Sequence, residues 1–546
     1  RHNIHVAAPA TQIPHKQECI SLYQEAENRL SALLSTGNPA ALGGGSTGLE
    51  KESLRVGPDG GIAQTAHPAA LGSALTHPWI TTDYSEALLE FITPPFTELP
   101  GALAFLRRLQ HYVYSKLDKE LLWSASMPCV VEGESFIPLA RYGSSNAGTM
   151  KTVYRRGLGY RYGRVMQVIA GAHYNYSFPE RLWPVYRELL ADSQPLQDFV
   201  SERYFHTIRN LQRYGWLVPY LFGSSPAICK TFLCGIPTEL EDFNENTYYA
   251  PYATSLRMCD IGYQNSQEGE AGFKACYDNL PAYIESLTRA IETPCPRYQE
   301  IGVKVDGKYR QLNANILQIE NEYYSSVRPK QVPEFNEKPT HALQRRGVRY
   351  IELRSLDIDM FHPLGISEPQ CHFLETFMTF CLFQDSPGIS DSQRREIDYN
   401  LDAVCYRGRK PGLELHRNGR QVSLSDWAGE LLGAMQGFAE ALDAQQPGNA
   451  HVAALHQQQA AVEDPDLTPS ARILAGMRKH DEGHFHFAQR MSRQHHDYFM
   501  NLPPDPEGFA LIDAAVQQSI ADQQAMEAAD NKSFDEFLAD YFAQPV

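Results

Sequence analysis

"GLEKESLRV", Gly48 to Val56, follows a run of glycines with alternating residue types, Glu50 and Glu52 lying two positions apart. In an extended strand that spacing points both carboxylates at one face of a sheet. A strand that sets two negative charges side by side has that face open to water, or carries something positive on it.

Other strand candidates repeat the pattern. "TTDYSEALLEF" (81–91) brings Asp83, Glu86 and Glu90, with Glu90 inside an otherwise apolar run. His173 and Asn175 alternate in "GAHYNYS", and Gln318, Glu320, Glu322 and Tyr324 alternate in "LQIENEYY" within a candidate strand at 310–325. Glu352 and Arg354 alternate in "YIELRS", within a candidate at 348–358. One charged strand is commonly the wet face of an antiparallel sheet. Repetition over several strands points instead to faces that converge. Two carboxylates ~4 Å apart repel by about 4 kcal/mol at an effective dielectric near 20, so such a cluster needs cations. Carboxylate oxygens with an occasional His suit Mg²⁺ or Mn²⁺ rather than thiolate-bound zinc.

Carboxylate-held Mg²⁺ commonly meets substrate phosphates, and Arg354, one strand step from Glu352, is placed to meet a transferring phosphoryl group. The chain has no GxxxxGK[ST] and no GxGxxG, and "GGGSTG" (43–48) lacks the lysine and reads as a turn. ATP would therefore bind through another architecture. The His-rich stretch 478–499 offers a rival metal site, His480 and His484 being four apart, but a solvated helix face accounts for it without a metal.

The chain of 546 residues is 43% hydrophobic and 21% charged, which fits a folded globular protein with a sizeable core. A net charge of -17 argues against nucleic acid or an anionic membrane as partner. No signal-peptide core and no apolar run of membrane-spanning length is present, and the ten cysteines form no CxxC pair or disulfide framework. The expectation is a soluble, cytoplasmic protein in a reducing compartment. Residues 1–18 read as a flexible leader and 19–546 as a single catalytic domain. Its sheet-bearing core covers about 40–360, and its helical C-terminal part about 361–546. Separated strands followed by helices predict an α+β fold with a largely antiparallel sheet.

Several runs then become recognisable together: "GLEKESLRV", "HPAALGSALTHPWITTDYSEALLEFITP", "YGSSNAGTMKTVYRRGL", "GAHYNYS", "YGWLVPYLFGSSPAIC", "PYATSLRM", "LQIENEYY", "YIELRSLD" and "DPDLTPSARIL". With them the chain resembles the proteobacterial glutamate–cysteine ligases from about Ile20 onward. The resemblance implies a glutamine synthetase-like fold, a curved antiparallel sheet forming a funnel-shaped site. It implies ATP-dependent joining of the L-glutamate γ-carboxyl to the L-cysteine amine through a γ-glutamyl phosphate, the first step of glutathione synthesis. A related ligase using another amine is the alternative. By motif, Glu50, Glu52, Asp83, Glu90, His173 and Glu352 match the Mg²⁺-binding set, with ATP as co-substrate. Arg257 matches a glutamate-carboxylate contact, Tyr154, Leu158, Tyr263 and Tyr324 match the walls of the cysteine pocket, and Arg354 matches the phosphate-facing arginine. Two departures stand out. Tyr84 occupies a position where the family often has Phe. Cys129 matches one member of a cysteine pair found in some relatives, but 174–193, where its partner would fall, has no cysteine, so no disulfide is expected there. The sequence sets no oligomeric state, and a monomer is compatible with it.

Overall fold

The alternating stretch lies in β1 (Ser46–Val56), the longest strand of a seven-stranded sheet. The computed structural model describes residues 22–262, 273–334 and 336–544; the expected leader, 1–18, lies outside them. The remaining strands of this sheet are β2 (Ile80–Thr82), β3 (Leu88–Ile92), β4 (Leu121–Leu122), β5 (Ala172–Ser177), β6 (Val327–Lys330) and β7 (Tyr350–Leu356). Their spatial order is β6-β7-β5-β1-β3-β2, with β4 paired to the far end of β1, and every pairing is antiparallel. The α+β class and the antiparallel sheet are as the sequence predicts.

Register decides what shares a face. Glu52 pairs with Glu90, Glu50 with His173, and Glu352 with both Asn175 and Arg328. Directly opposed residues project to the same side, so the acidic positions of three strands, β1, β3 and β7, converge with His173 of β5. Lys51, Tyr174, Tyr176 and Ile351 project to the other side, which is covered by helices. Lys51 donates to Gln110 on α1 (Leu99–Lys116), and Tyr176 donates to Glu375 on α4 (Glu368–Phe383). Both faces are covered, which is why β1 is buried at nearly every position and not at alternate ones.

Between these lie α2 (Asn146–Tyr162), capped by Ser145, whose side chain accepts from the Gly148 N–H, and α3 (Leu196–Tyr214). Helix α4 opens with a capping box between Ser367 and Gln370 and is buried on nearly all sides, the pattern of a core helix. The helical last third continues with α5 (Leu424–Asp443) and α6 (Ala450–Glu463), which pack against α4. Later helices return to the sheet-bearing part: Asp505 pairs with Arg108, and Ser519 accepts from the Ser73 N–H. One contiguous apolar core runs from Tyr23 to Val516. Among the described residues no helix is long and apolar enough to cross a membrane.

Three expectations need correction. Residues 310–325 form no sheet strand: a short 3-10 turn spans Glu320–Glu322, and side chains take the place of a ladder. The Leu312 N–H donates to Gln318 Oε1, the Gln318 N–H to Glu322 Oε2, and Asn313 Nδ2 to the Gln318 carbonyl. The His-rich stretch is two helices, Pro469–His480 and His484–Met500, separated at Asp481, whose φ of 53° ends the first. His480 and His484 therefore share no helix face. Cys129 is disulfide-bonded after all, to Cys229, 100 residues away and outside the segment where a partner was sought. The pairing is long-range, so no local spacing announces it.

Candidate active site

The converging acids are held at fixed places by their neighbours. His173, 3% exposed, sits at the centre. Its Nδ1 is 2.9 Å from Glu50 Oε2 and 3.7 Å from Glu352 Oε1, and its Nε2 is 3.7 Å from Glu52 Oε1. Asn175 Nδ2 donates to Glu50 Oε1 at 2.9 Å, and the Gly171 N–H donates to Glu52 Oε2 at 2.6 Å. Glu50, Glu90 and His173 each offer a donor atom within 4.8 Å of the others. Asp83, just past β2, is held by Arg155 on α2, 3.8 Å away. Arg354 on β7 lies 3.3 Å from Glu352, and Lys330 on β6 lies 3.5 Å from the other oxygen of the same carboxylate.

Electrostatics divides the acids into two kinds. Burial and then the neighbouring charges of Glu50, Asp83 and Glu52 push the Glu90 carboxyl well above its ordinary value, and burial likewise raises Glu52. Burial acts the same way on Glu50 and Glu352 but is outweighed. The His173 hydrogen bond draws Glu50 down, and Lys330 with Arg354 draws Glu352 down. Burial and mutual repulsion thus disfavour the charged forms of Glu90 and Glu52, a penalty that a divalent ion between the carboxylates would relieve.

Two cavities flank it. One of about 520 Å³ is lined by Asp83, Tyr154, Leu158, Tyr324, Arg328 and Arg354, among others. A smaller one of about 230 Å³ is lined by Glu50, Ile92, Thr93, Asn175, Val332 and Tyr350, among others. The acids stand between a polar chamber and a more apolar one. The disulfide lies off this cluster, joining the segment after β4 to the short strand Ala227–Cys229.

Of the residues singled out by sequence, Glu50, Glu52, Glu90, His173, Glu352 and Arg354 meet on one face, with Asp83 at its rim. Tyr154, Leu158 and Tyr324 share the larger chamber. Arg257 does not reach the chamber wall; it is 1% exposed, donates to the Arg354 carbonyl at 3.0 Å and lies 3.7 Å from Asp357. Tyr263 lies outside the described residues. Sequence reading gave no role to Arg155, Arg328 and Lys330. Arg328 and Lys330 follow the same two-residue rule as Glu50 and Glu52, and "VRPK" carried that signal.

Comparison with known proteins agrees with this geometry. Residues 30–404 match the sequence profile of the family described as glutamate-cysteine ligase. The glutamate–cysteine ligase of Alcanivorax borkumensis is 50% identical over 94% of this chain and 99% of its own, and that of Pseudomonas aeruginosa LESB58 is 51% identical over 91% and 94%. The Francisella tularensis glutamate–cysteine ligase, solved in complex with AMP, superposes with a TM-score of 0.86 at 36% identity, covering 91% of this chain and 97% of that one. A bifunctional glutathione synthetase from Pasteurella multocida shares the fold, with a TM-score of 0.70 at 23% identity, covering 91% of this chain and 58% of that one. Coverage and identity of this extent leave one assignment: the chain belongs to the glutamate–cysteine ligase family.

Proposed function

We propose that the protein joins the γ-carboxyl of L-glutamate to the amine of L-cysteine at the expense of ATP, through a γ-glutamyl phosphate, as the first step of glutathione synthesis. The observation that carries this reading is the acidic face set between two chambers, with Arg354 at its edge. Residues 19–546 act as a single catalytic domain in this reading, the helical part bracing the sheet.

The residues present fit Mg²⁺ better than a softer metal. The donor set is carboxylate oxygen with one imidazole, and Glu352 Oε2 is buried and accepts no hydrogen bond. Glu50, Glu52, Glu90, His173 and Glu352 would hold it, with Asp83 at the rim. When bound, the ion would screen phosphate charge and let two anions approach.

The chain's own residues do the rest. Arg354, fixed by Glu352, faces the transferring phosphoryl group, with Arg328 beside it on the chamber wall. The AMP held by the Francisella relative supports nucleotide binding, and the smaller chamber, opening at Glu50, suits a flat apolar base. Tyr154, Leu158 and Tyr324 would shape the larger chamber around the amine-bearing substrate. The glutamate γ-carboxylate takes the terminal phosphoryl group and ADP leaves; the amine then attacks the γ-carbonyl carbon, loses a proton, and phosphate leaves. Positioning and charge neutralisation suffice, and no protein nucleophile is needed. Arg257 contributes through Arg354, whose backbone it holds.

Tyr84 favours a second reading, a different amine acceptor. Its hydroxyl is buried at the chamber wall without a hydrogen-bond partner among the described residues, and so can select for polarity. The test is phosphate release from ATP with Mg²⁺, glutamate and cysteine, each omitted in turn, and then with 2-aminobutyrate, alanine or ammonia for cysteine. The expected product is γ-glutamylcysteine, identified by mass and by its γ-linkage. Preference for another amine moves the specificity, and no release under any combination refutes the proposal.

A further inference from the structure

Behind the sheet, away from the acidic face, a second set of metal-ligating side chains converges. His372 and Glu375 lie three apart on α4 and so share a helix face. His451 comes from the first turn of α6. His372 Nδ1 is 3.3 Å from His451 Nε2, and His451 Nε2 is 3.0 Å from Glu375 Oε2. Two ligands each about 2.0 Å from a tetrahedral ion lie about 3.3 Å apart, close to these two spacings, and all three donor atoms lie within 4.8 Å of one another. Both imidazoles are at least 95% buried, at 5% and 2% exposure.

The outer contacts orient each donor inward. Asp443, at the end of α5, accepts from the His451 and Val452 N–H groups at the start of α6, and its Oδ1 is 2.8 Å from His451 Nδ1. A proton held on Nδ1 by that carboxylate leaves the Nε2 lone pair facing the centre. Glu368, 54% exposed, lies 3.5 Å from His372 Nε2 and gives that nitrogen a looser carboxylate neighbour, with Nδ1 inward. Tyr176 of β5 donates to Glu375 Oε1 at 2.9 Å, leaving Oε2 for the centre. Metal-bound histidines usually have such a carboxylate on the far nitrogen.

Charge balance separates an ion from a proton. Glu375 and Asp443 bring two negative charges to a largely buried place, while Glu368, 54% exposed, is compensated by solvent. One proton shared at His451 Nε2 leaves one charge uncompensated, and can serve either Glu375 or His372 but not both. A divalent cation balances both carboxylates and engages all three inward donors.

We propose that His372, Glu375 and His451 bind Zn²⁺ or a similar late first-row divalent ion, with Asp443, Glu368 and Tyr176 as their orienting partners. Two imidazoles and one carboxylate select such an ion, whereas the oxygen-rich front face selects Mg²⁺. The ion fastens α4 to α6. Through Tyr176 it also fastens both to the back of β5, whose front carries His173 and Asn175. Its role is to hold the sheet against its helices.

The full chain is stripped with a chelator, returned to buffer with saturating Mg²⁺, and titrated with Co²⁺ and Zn²⁺ against a competing chelator. The expected result is one tight site per chain with the visible absorption of nitrogen-bound tetrahedral Co²⁺. His372→Asn and His451→Asn should abolish it. Asp443→Asn should weaken it about 10- to 100-fold without removing it, and Glu50→Gln should leave it unchanged. Should the histidine variants fail to fold, the Asp443→Asn titration and the anomalous signal of zinc-soaked wild-type crystals decide the matter. Absence of tight binding, binding equal in wild type and Asp443→Asn, loss at Glu50→Gln, or no anomalous peak among the three side chains would each overturn the site.

Discussion

Arg161→Met tests the anchoring of the 311–322 loop most directly. Arg161, near the end of α2, and Glu322 form an ion pair 2.7 Å apart with both side chains fully buried. Glu322 also accepts from Tyr162 at 2.6 Å and from the Gln318 N–H at 2.8 Å, while Arg161 donates further to Gln311 Oε1 at 2.9 Å and the Asn313 carbonyl at 2.8 Å. These bonds fasten the 311–322 loop to the helix that lines the larger chamber. Methionine preserves helix propensity and most of the stem volume but leaves the Glu322 charge buried without its guanidinium. Breaking one side of a buried pair costs about 3–5 kcal/mol. Several bonds to this one cation go together, so a value near ~4 kcal/mol is expected. Arg161→Met/Glu322→Gln removes the stranded charge and should recover at least half of that loss. The assay is urea unfolding followed by intrinsic fluorescence, with initial rates measured alongside. Because Tyr324 leaves this loop for the chamber wall, the single variant should also raise the apparent KM for the amine substrate more than it lowers kcat. A single-variant loss under ~1 kcal/mol, or a double variant no better than the single, would refute the reasoning.

Three further outcomes are expected. Glu52→Gln and Glu352→Gln should each abolish turnover while circular dichroism stays unchanged, since each removes a carboxylate from the face proposed to hold Mg²⁺; normal rates at saturating Mg²⁺ would remove them from that role. Lys51, buried behind Glu50 and Glu52, has its pKa lowered by burial from 10.5 to about 7, so folding strips a proton from it between those values. The unfolded chain binds the extra proton there, so the stability gained by Lys51→Met should be largest at and below about pH 7, at most ~5 kcal/mol, and fade toward pH 10.5. A gain independent of pH would refute the shift. Non-reducing peptide mapping should find Cys129 linked to Cys229, and Cys229→Ser should lower stability by a few kcal/mol, about 4.7 being the loop-closure figure for a 100-residue loop; separate peptides would refute the link.

The parts of the site legible in the sequence are those that depend on strand period alone. Glu50 with Glu52, His173 with Asn175, and Glu352 with Arg354 each lie two apart. That rule fixes a shared face whatever the order of the strands. It could not say that the face is buried on both sides by chain, nor that β5 and β7 stand next to each other. The same rule failed at 317–324, where the alternation is equally regular. There the polar side chains bond to their own backbone and to Arg161, so the pattern reflects a cross-linked loop and not a pleated surface. The difference is visible only once the partner is known, and Arg161 is 161 positions from Glu322.

Distance along the chain limits the remaining features in the same way. Cys129 and Cys229 are separated by 100 residues, His372 and His451 by 79, and Arg257 lies 97 from the Arg354 carbonyl it holds. None has a local period to betray it. Arg257 shows what motif matching adds and where it stops. Its run, "ATSLR", marks it as tied to the site, and the structure ties it there through the backbone of Arg354 and the charge of Asp357. A guanidinium in that place bonds the backbone that carries Arg354. Arg257→Lys, which keeps the charge but cannot reach both the Arg354 carbonyl and Asp357, should therefore lower kcat; a rise in the apparent KM for glutamate with kcat intact would return it to the substrate.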